Sequence, residues 1–398
     1  MVSLLAELTL AGIMLGTGSI NTVSKKVMYQ TNGTNIEGTY ELYKKPWLCT
    51  LVMFSGESMC MLIFYAFSLY YKMTKNRPQE IEEELIDKGP QIVFVSREET
   101  ESDPTGGLGW RFPLYVTLFS ACDLLSTTLT GIGLVYCNAS VIQILRGFVI
   151  VFTMLNAWFF LGRKPKLNQV VGVCFAIFGL IMVGSSAVLN DYSKSGSKSS
   201  SVGDTVFGIC LTLSAQIFSS IQFVFEEKLL KQNTQKTGPI PSLFLVGAEG
   251  ISGFLLSLLV ALPIVNAVKG KDHGSYENFN NSLYMMVYNP LITAFQFLYF
   301  ISIAFFNWSS FVYSKALSAT ARTLVDACRT IVVWLTMVGI YGPTDHKYGE
   351  GLTYWSILQV IGFIFMLLGT TTHNNIAGVG DKFTSCCKND ADGAVAQK

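Results

Sequence analysis

Arg322, Asp326 and Arg329 follow one another at spacings of four and three residues inside an otherwise apolar run. On a helix those steps bring all three side chains to one face. Asp326 can then neutralise one guanidinium but not both. Arg146, with Gln143 three residues before it, sits in a similar apolar run earlier in the chain. A guanidinium is a planar, permanently charged fork of donors that matches carboxylates and phosphates. Glu57, Asp123 and Glu249 lie in other apolar runs, and the amides Asn21, Gln222 and Asn307 accompany them. Two chemistries fit this set. Either the arginines receive an oxyanion, or the acids and arginines pair to lock helices together. For Glu57, Asp123 and Glu249 the reception of a cationic ligand is a third.

The elements that position these groups follow from composition. Of 398 residues, 50% are hydrophobic and only 14% charged, with a mean hydropathy of +0.42. Soluble domains carry about 25% charged residues, so a bilayer is the environment that fits. Net charge is +1, which gives no basis for nucleic-acid binding. A spanning helix needs about 20 mainly apolar residues. Ten stretches qualify: 4–24, 47–71, 113–136, 138–161, 168–189, 203–226, 242–264, 291–314, 319–341 and 353–372. The first is a helix rather than a signal peptide, because it lacks a basic leader and contains Glu7. The ninth holds Arg322, Asp326 and Arg329. Each such charge costs about 3 kcal/mol at mid-bilayer, against about 0.4 kcal/mol returned per apolar neighbour. That helix must insert against partners with its charges turned inward.

Lysine and arginine counts orient the spans. With a cytosolic N-terminus, 16 of the 28 fall on the cytosolic side, nine on the other and three inside the membrane. The sequons at Asn32 and Asn280 then both lie on the non-cytosolic side and are the expected glycosylation sites. Those at Asn138 and Asn307 lie in or at helices and are expected to be silent. The loop 72–112 turns from basic to acidic, and its composition predicts no fixed fold. Residues 193–202 form a Ser/Gly/Lys linker, and 375–398 a cytosolic tail whose adjacent Cys386 and Cys387 allow lipidation.

That linker divides the chain where an internal repeat would. QVVGVCFAIFG (169–179) parallels QVIGFIFMLLG (359–369). The same alignment pairs Arg146 with Arg329, Gln143 with Asp326, Glu57 with Glu249 and Asn21 with Gln222, and brings Asp123 within one residue of Asn307. Five helices per half is an odd number, so the second half enters the membrane from the opposite side. Inverted repeats are a frequent transporter architecture with the solute near mid-membrane. The expected fold is therefore an all-α membrane protein of ten transmembrane helices in two inverted five-helix repeats, 1–192 and 203–374. Gly12 and Gly16, Gly172 and Gly179, and Gly247, Gly250 and Gly253 have spacings that let helices approach closely.

Other chemistries fare poorly. His273, His346 and His373 fall in loops or at a helix end, which predicts no metal site, no cofactor and no acid–base cluster. GVGD at 378–381 lies in the polar tail, so an intramembrane protease is not expected. None of the cysteines has metal-ligand spacing.

TGSINT (17–22), GES (56–58), ACD (121–123), IQILRGFVIVFT (142–153), FLGR (160–163), AQIFSSIQFVFEEK (215–228), GAEGISGF (247–254), AFFN (304–307) and KALSATARTLVDACRT (315–330) together closely resemble the member-six-like branch of subfamily F in solute carrier family 35. This group belongs to the drug/metabolite transporter superfamily and is related to the nucleotide-sugar transporters. The resemblance spans nearly all ten helices and lapses over 76–110 and after about residue 375. It implies the ten-helix inverted-repeat fold and an endomembrane location, lysosomal or Golgi-type. KALSATAR stands where a lysine-bearing nucleotide-sugar motif is expected, so that substrate class does not carry over.

The expected protein is not an enzyme. It is an alternating-access carrier of a small polar, anionic organic solute, with the lipid bilayer and the solute as its partners. Two alternatives stand beside it: an exporter of cationic, drug-like compounds, and a scaffold that binds another membrane protein and transports nothing. A homodimer or a membrane-protein partner is left open.

Overall fold

The computed structural model describes residues 4–74, 99–100, 103–136, 139–194, 202–231, 233–234, 238–343 and 351–380. The remainder of the acidic loop, most of the 193–202 linker, Asn138, His346, Asp381 and the Cys386–Cys387 pair lie outside the described residues. The helices are α1 (Leu4–Gln30), α2 (Pro46–Met73), α3 (Arg111–Tyr136), α4 (Ala139–Arg146), α5 (Val149–Leu161), α6 (Leu167–Lys194), α7 (Val202–Lys231), α8 (Ser242–Leu256), α9 (Leu262–Ala267), α10 (Phe279–Tyr288), α11 (Pro290–Ala316), α12 (Ala319–Tyr341) and α13 (Ser356–His373). Among the described residues, nine helical stretches are long and apolar enough to cross a membrane. α1 is a further long helix, of 27 residues, and falls outside those nine. The β-structure is slight: β1 (Asn32–Thr34) pairs antiparallel with β2 (Tyr40–Leu42), and β3 (Asn233–Thr234) with β4 (Gly238–Pro239).

Local chemistry sets the helix limits. Pro46 opens α2 in its first turn, where no amide hydrogen is needed. Gly162, at φ +65°, ends α5 in the left-handed conformation that glycine adopts without strain. The Asn278 side chain accepts from Asn281 N and caps α10. The Ser318 hydroxyl accepts from Ala321 N at 3.1 Å and caps α12.

Two spans depart from the expected continuous helix. The fourth breaks at Gly147–Phe148, between α4 and α5. There Gly147 N bonds Ile144 O and Phe148 N bonds Leu145 O, a tighter three-residue turn in place of the four-residue ladder. A Cβ on Gly147 would meet Leu180 Cδ1 at 2.4 Å, so a close neighbour on α6 fills the place of its side chain. The seventh contains a π-turn, Ser257–Ala261, which joins α8 to α9. The loop 72–112 also departs from expectation where it is described. Asp103 accepts from Thr105 N at 3.0 Å and Gly107 N at 3.2 Å in a tight turn, and Glu99 pairs with Lys315 at 2.8 Å.

The chain forms two compact units, and each draws on both halves of the sequence. The first holds Met1–Leu124, Phe225–Ala316 and Val332–Gly349; the second holds Leu125–Val224, Leu317–Ile331 and Glu350–Lys398. In the first unit α2 lies against α8 along a glycine stripe. A Cβ on Gly247, Gly250 or Gly253 would stand 2.3–2.4 Å from Met61 N, Ser58 N or the Phe54 ring. An aromatic cluster fills the core beside it, with Phe64 and Phe112 rings 5.3 and 5.5 Å from Phe244. In the second unit α6 and α13 touch through Gly172, Gly179, Gly362 and Gly369. These contacts match the packing role expected of small residues. Gly12 and Gly16 do not, because a Cβ on either meets nothing within 4 Å.

Candidate functional site

The eleven candidate residues sort by unit. Asn21, Glu57, Asp123, Glu249 and Asn307 belong to the first; Gln143, Arg146, Gln222, Arg322, Asp326 and Arg329 belong to the second. Three of the four acids therefore lie in the first unit and every arginine of the set in the second, while the amides divide between the two.

In the first unit, Glu57 and Glu249 are each 4% exposed. They sit where α2 and α8 cross, since a Cβ on Gly250 would touch Glu57 Cβ at 2.6 Å. Asn307 Nδ2 on α11 donates to Glu57 Oε1. The Ser120 hydroxyl on α3 donates to the Glu249 backbone carbonyl at 2.9 Å, one turn before the half-buried Asp123. Asn21 is buried on α1, which packs along α11. Sequence reasoning missed two acids here. Glu226 and Glu227 on α7 are completely buried, and Glu227 pairs with Lys231 at 2.8 Å. Their Glu-Glu-Lys context resembles the polar end of a helix, yet α7 continues to Lys231 and folds them inward.

In the second unit, Arg322 is buried with its guanidinium 4.4 Å from the centre of the Phe223 ring. Such a contact is worth about 2 kcal/mol when desolvated. Gln222 is buried beside it in sequence. Arg329 Nη2 lies 3.4 Å from Asp326 Oδ2, while Asp326 Oδ1 is buried without a hydrogen-bond partner among the described residues. Arg146 is the last residue of α4, directly before the break, and lies within electrostatic reach of both Arg329 and Asp326. The Arg329–Asp326 pair on α12 thus acts electrostatically on Arg146 of α4. Arg322 instead rests on an aromatic face. Gln143 lies in α4, three residues before Arg146.

A polar cap outside the spans was not foreseen. Asn281 accepts from Ile36 N at 3.1 Å and donates to Glu41 and Asp272 at 2.8 Å each. Lys45 bonds Asp272 at 2.7 Å and Glu41 at 3.3 Å. Burial alone would raise the Asp272 carboxyl, but bonds from Lys45, Asn278 N and Asn281 outweigh it and hold the group below the usual range. Glu277 is 3% exposed and accepts from Trp47 N and Leu48 N, both at 2.9 Å, at the start of α2. Burial pushes its carboxyl up to about 7 despite those two bonds and the nearby Lys45. Both sequon residues, Asn32 and Asn280, are exposed on segments of this cap.

The histidines need correction. Glu41, Asp272 and His273 present ligand atoms within 4.8 Å of one another, a grouping that placement in loops does not exclude. The Lys45 ammonium already bonds both carboxylates there, which leaves the cluster poorly suited to a metal. His373, at the end of α13, is buried. The described cysteines 49, 60, 122, 174, 210 and 328 are free thiols.

The chain is 30% identical over 375 residues to solute carrier family 35 member F6 of Homo sapiens, covering 93% of this chain and 89% of that protein. It belongs to this family. The rat protein of the same name is also 30% identical, over 378 residues with the same coverage. An uncharacterised protein of Schizosaccharomyces pombe is 27% identical over 263 residues, 66% of this chain and 74% of that one. Residues 91–185 match the EamA-like transporter family. One crystal structure superposes with a TM-score of 0.52 at 10% identity, covering 93% of this chain and 96% of the other, a likeness of fold alone. Membership in the solute carrier 35 family, with the spanning helices, makes the chain a multi-pass membrane protein of transporter type.

Proposed function

We propose that the protein is an alternating-access carrier for a small polar, anionic organic solute across an endomembrane. In this reading it has ten transmembrane helices in two inverted five-helix repeats and cytosolic termini. The observation that carries the anionic reading is Arg146 at the α4–α5 break, in electrostatic reach of Arg329 and Asp326. Broken helices at membrane depth are tolerated where they line a cavity, and in transporters they often build the solute site. One aspartate against two guanidiniums leaves donor capacity for an incoming oxyanion. The repeat is supported by the glycine contacts of α6 and α13, whose sequences are the matched QVVG and QVIG segments.

A second reading, export of cationic compounds, draws on the first unit, where Glu57, Glu226, Glu227 and Glu249 are all buried. Uptake into liposomes containing the purified protein separates the two. Organic anions and cations of matched size are offered, and Arg146→Lys and Arg329→Lys are compared with Glu57→Gln and Glu249→Gln. The anionic reading expects anion uptake that fails in the lysine variants, which retain charge but lose the bidentate fork. Cation uptake that fails in the glutamine variants would reverse the assignment. Transport of neither class would favour a membrane scaffold.

A further inference from the structure

In the second unit the ends of four helices surround a cleft: the close of α5, the starts of α6 and α12, and the close of α13. Arg163, Gln169, Ser318, Thr320 and His373 line it, with no carboxylate among its lining residues. Its polar groups are incompletely satisfied. Gln169 uses Oε1 to accept from Lys166 N at 3.0 Å, leaving its amide NH2 unused among the described residues. His373 is 5% exposed and bonds Asn374 Oδ1 through Nδ1 at 2.9 Å, so only Nε2 remains for the cleft. Thr320, also 5% exposed, has no hydrogen bond to its hydroxyl among the described residues. Neither that hydroxyl nor His373 Nε2 is sealed from solvent.

The Gln169 amide and the Thr320 hydroxyl can donate, while His373, with Nδ1 on Asn374 Oδ1, presents Nε2 as an acceptor in its neutral form. Arg163 adds a permanent charge at the mouth, with exposed Lys164 and Lys166 beside it. The first turn of α12, a helix of 23 residues, adds the positive end of its dipole. We propose that this cleft binds a phosphate-type oxyanion, supplied either by free phosphate or by the phosphomonoester headgroup of a lipid at the membrane surface. The site is separate from the Arg146–Asp326–Arg329 group and stands whether or not that group binds solute.

The test uses the full-length protein in nanodiscs. One arm measures the rise in Tm with inorganic phosphate against chloride at fixed ionic strength in phosphatidylcholine. The other measures retention of phosphatidic acid over phosphatidylcholine by native mass spectrometry. Arg163→Gln, at an exposed position, should weaken binding about tenfold, the loss of one charge-assisted bond. Thr320→Val should weaken it less, and Lys164→Gln should bind like the wild type. A response in the phosphate arm names the free ion as a source; one confined to the lipid arm names the headgroup. No response in either arm overturns the proposal. So does binding that survives Arg163→Gln, or that falls as much in Lys164→Gln, which would reveal only diffuse surface charge.

Discussion

Gly179 and Gly362 stand backbone to backbone. A Cβ built on Gly179 would lie 2.5 Å from Gly362 O, and one on Gly362 would lie 2.7 Å from Gly179 O. Gly172 and Gly369 repeat the relationship further along the pair, at 2.7 and 2.6 Å. Without a hydrophobic drive between helices in lipid, such close approach is what holds α6 to α13.

Gly179→Ala should therefore destabilise the protein by about 1–3 kcal/mol, because a methyl group must displace main chain rather than a mobile side-chain tip. Gly16→Ala should be neutral or stabilising by up to about 1 kcal/mol, since its Cβ meets nothing within 4 Å and alanine favours the helix. Thermal unfolding of both variants in one detergent checks the contrast. Equal losses would mean that the α6–α13 contact is not the tight one.

Asn307→Leu should cost about 1–3 kcal/mol by leaving Glu57 Oε1 without the donor that Asn307 Nδ2 supplies in a buried setting. Asn307→Leu combined with Glu57→Gln should recover part of that loss, since the charge is then gone. A double-mutant cycle of unfolding free energies tests the coupling, and simple additivity would refute it.

Glu277 should make stability depend on pH in a definite direction. Its carboxyl is raised by burial to about 7 in the folded protein, above its unfolded value. The folded state thus binds the proton more tightly. Its contribution is fully present below the unfolded pKa and is lost as pH rises through about 7. The slope is at most about 1.4 kcal/mol per pH unit. Glu277→Gln should flatten the Tm profile between the ordinary glutamate range and neutrality. An unchanged slope would assign the pH dependence to other groups.

Asn32 and Asn280 are both exposed on the same cap. Expressed in a secretory host, the protein should shift in mobility on glycosidase treatment. Asn32→Gln and Asn280→Gln should each remove part of the shift. A glycan on one residue and modification of the other from the cytosolic side would overturn the shared orientation.

Hydropathy made the long apolar helices legible, because spanning a bilayer demands length and composition together. The i, i+4, i+7 spacing of Arg322, Asp326 and Arg329 showed which residues share a face of α12, but not that Arg322 would turn to Phe223, a residue about a hundred positions away. The break after Arg146 was hidden, since one glycine in an apolar run more often marks packing than a discontinuity. It took the close approach of Leu180 to give Gly147 its role. The cap was illegible for another reason: Asn281, Asp272, Glu41 and Lys45 show no periodicity and meet only through the fold. Glu226 and Glu227 were visible as charges, but their burial depends on how far α7 runs.

The cap also bears on how the chain is made. Ile36 and Asn281 are 245 residues apart in sequence, and Lys45 and Asp272 are 227 apart. On the ribosome, α1 and α2 are complete long before the segment that clasps the loop between them has been synthesised. Domains usually form N-terminal parts first during synthesis, but here α1 and α2 must wait in the membrane for α8 and α11, against which they pack. Contacts of such long range close slowly. The early helices would thus spend most of translation with Asn21 and Glu57 unsheltered, a period in which a chaperone or insertase is most needed and a truncated chain is most exposed to quality control.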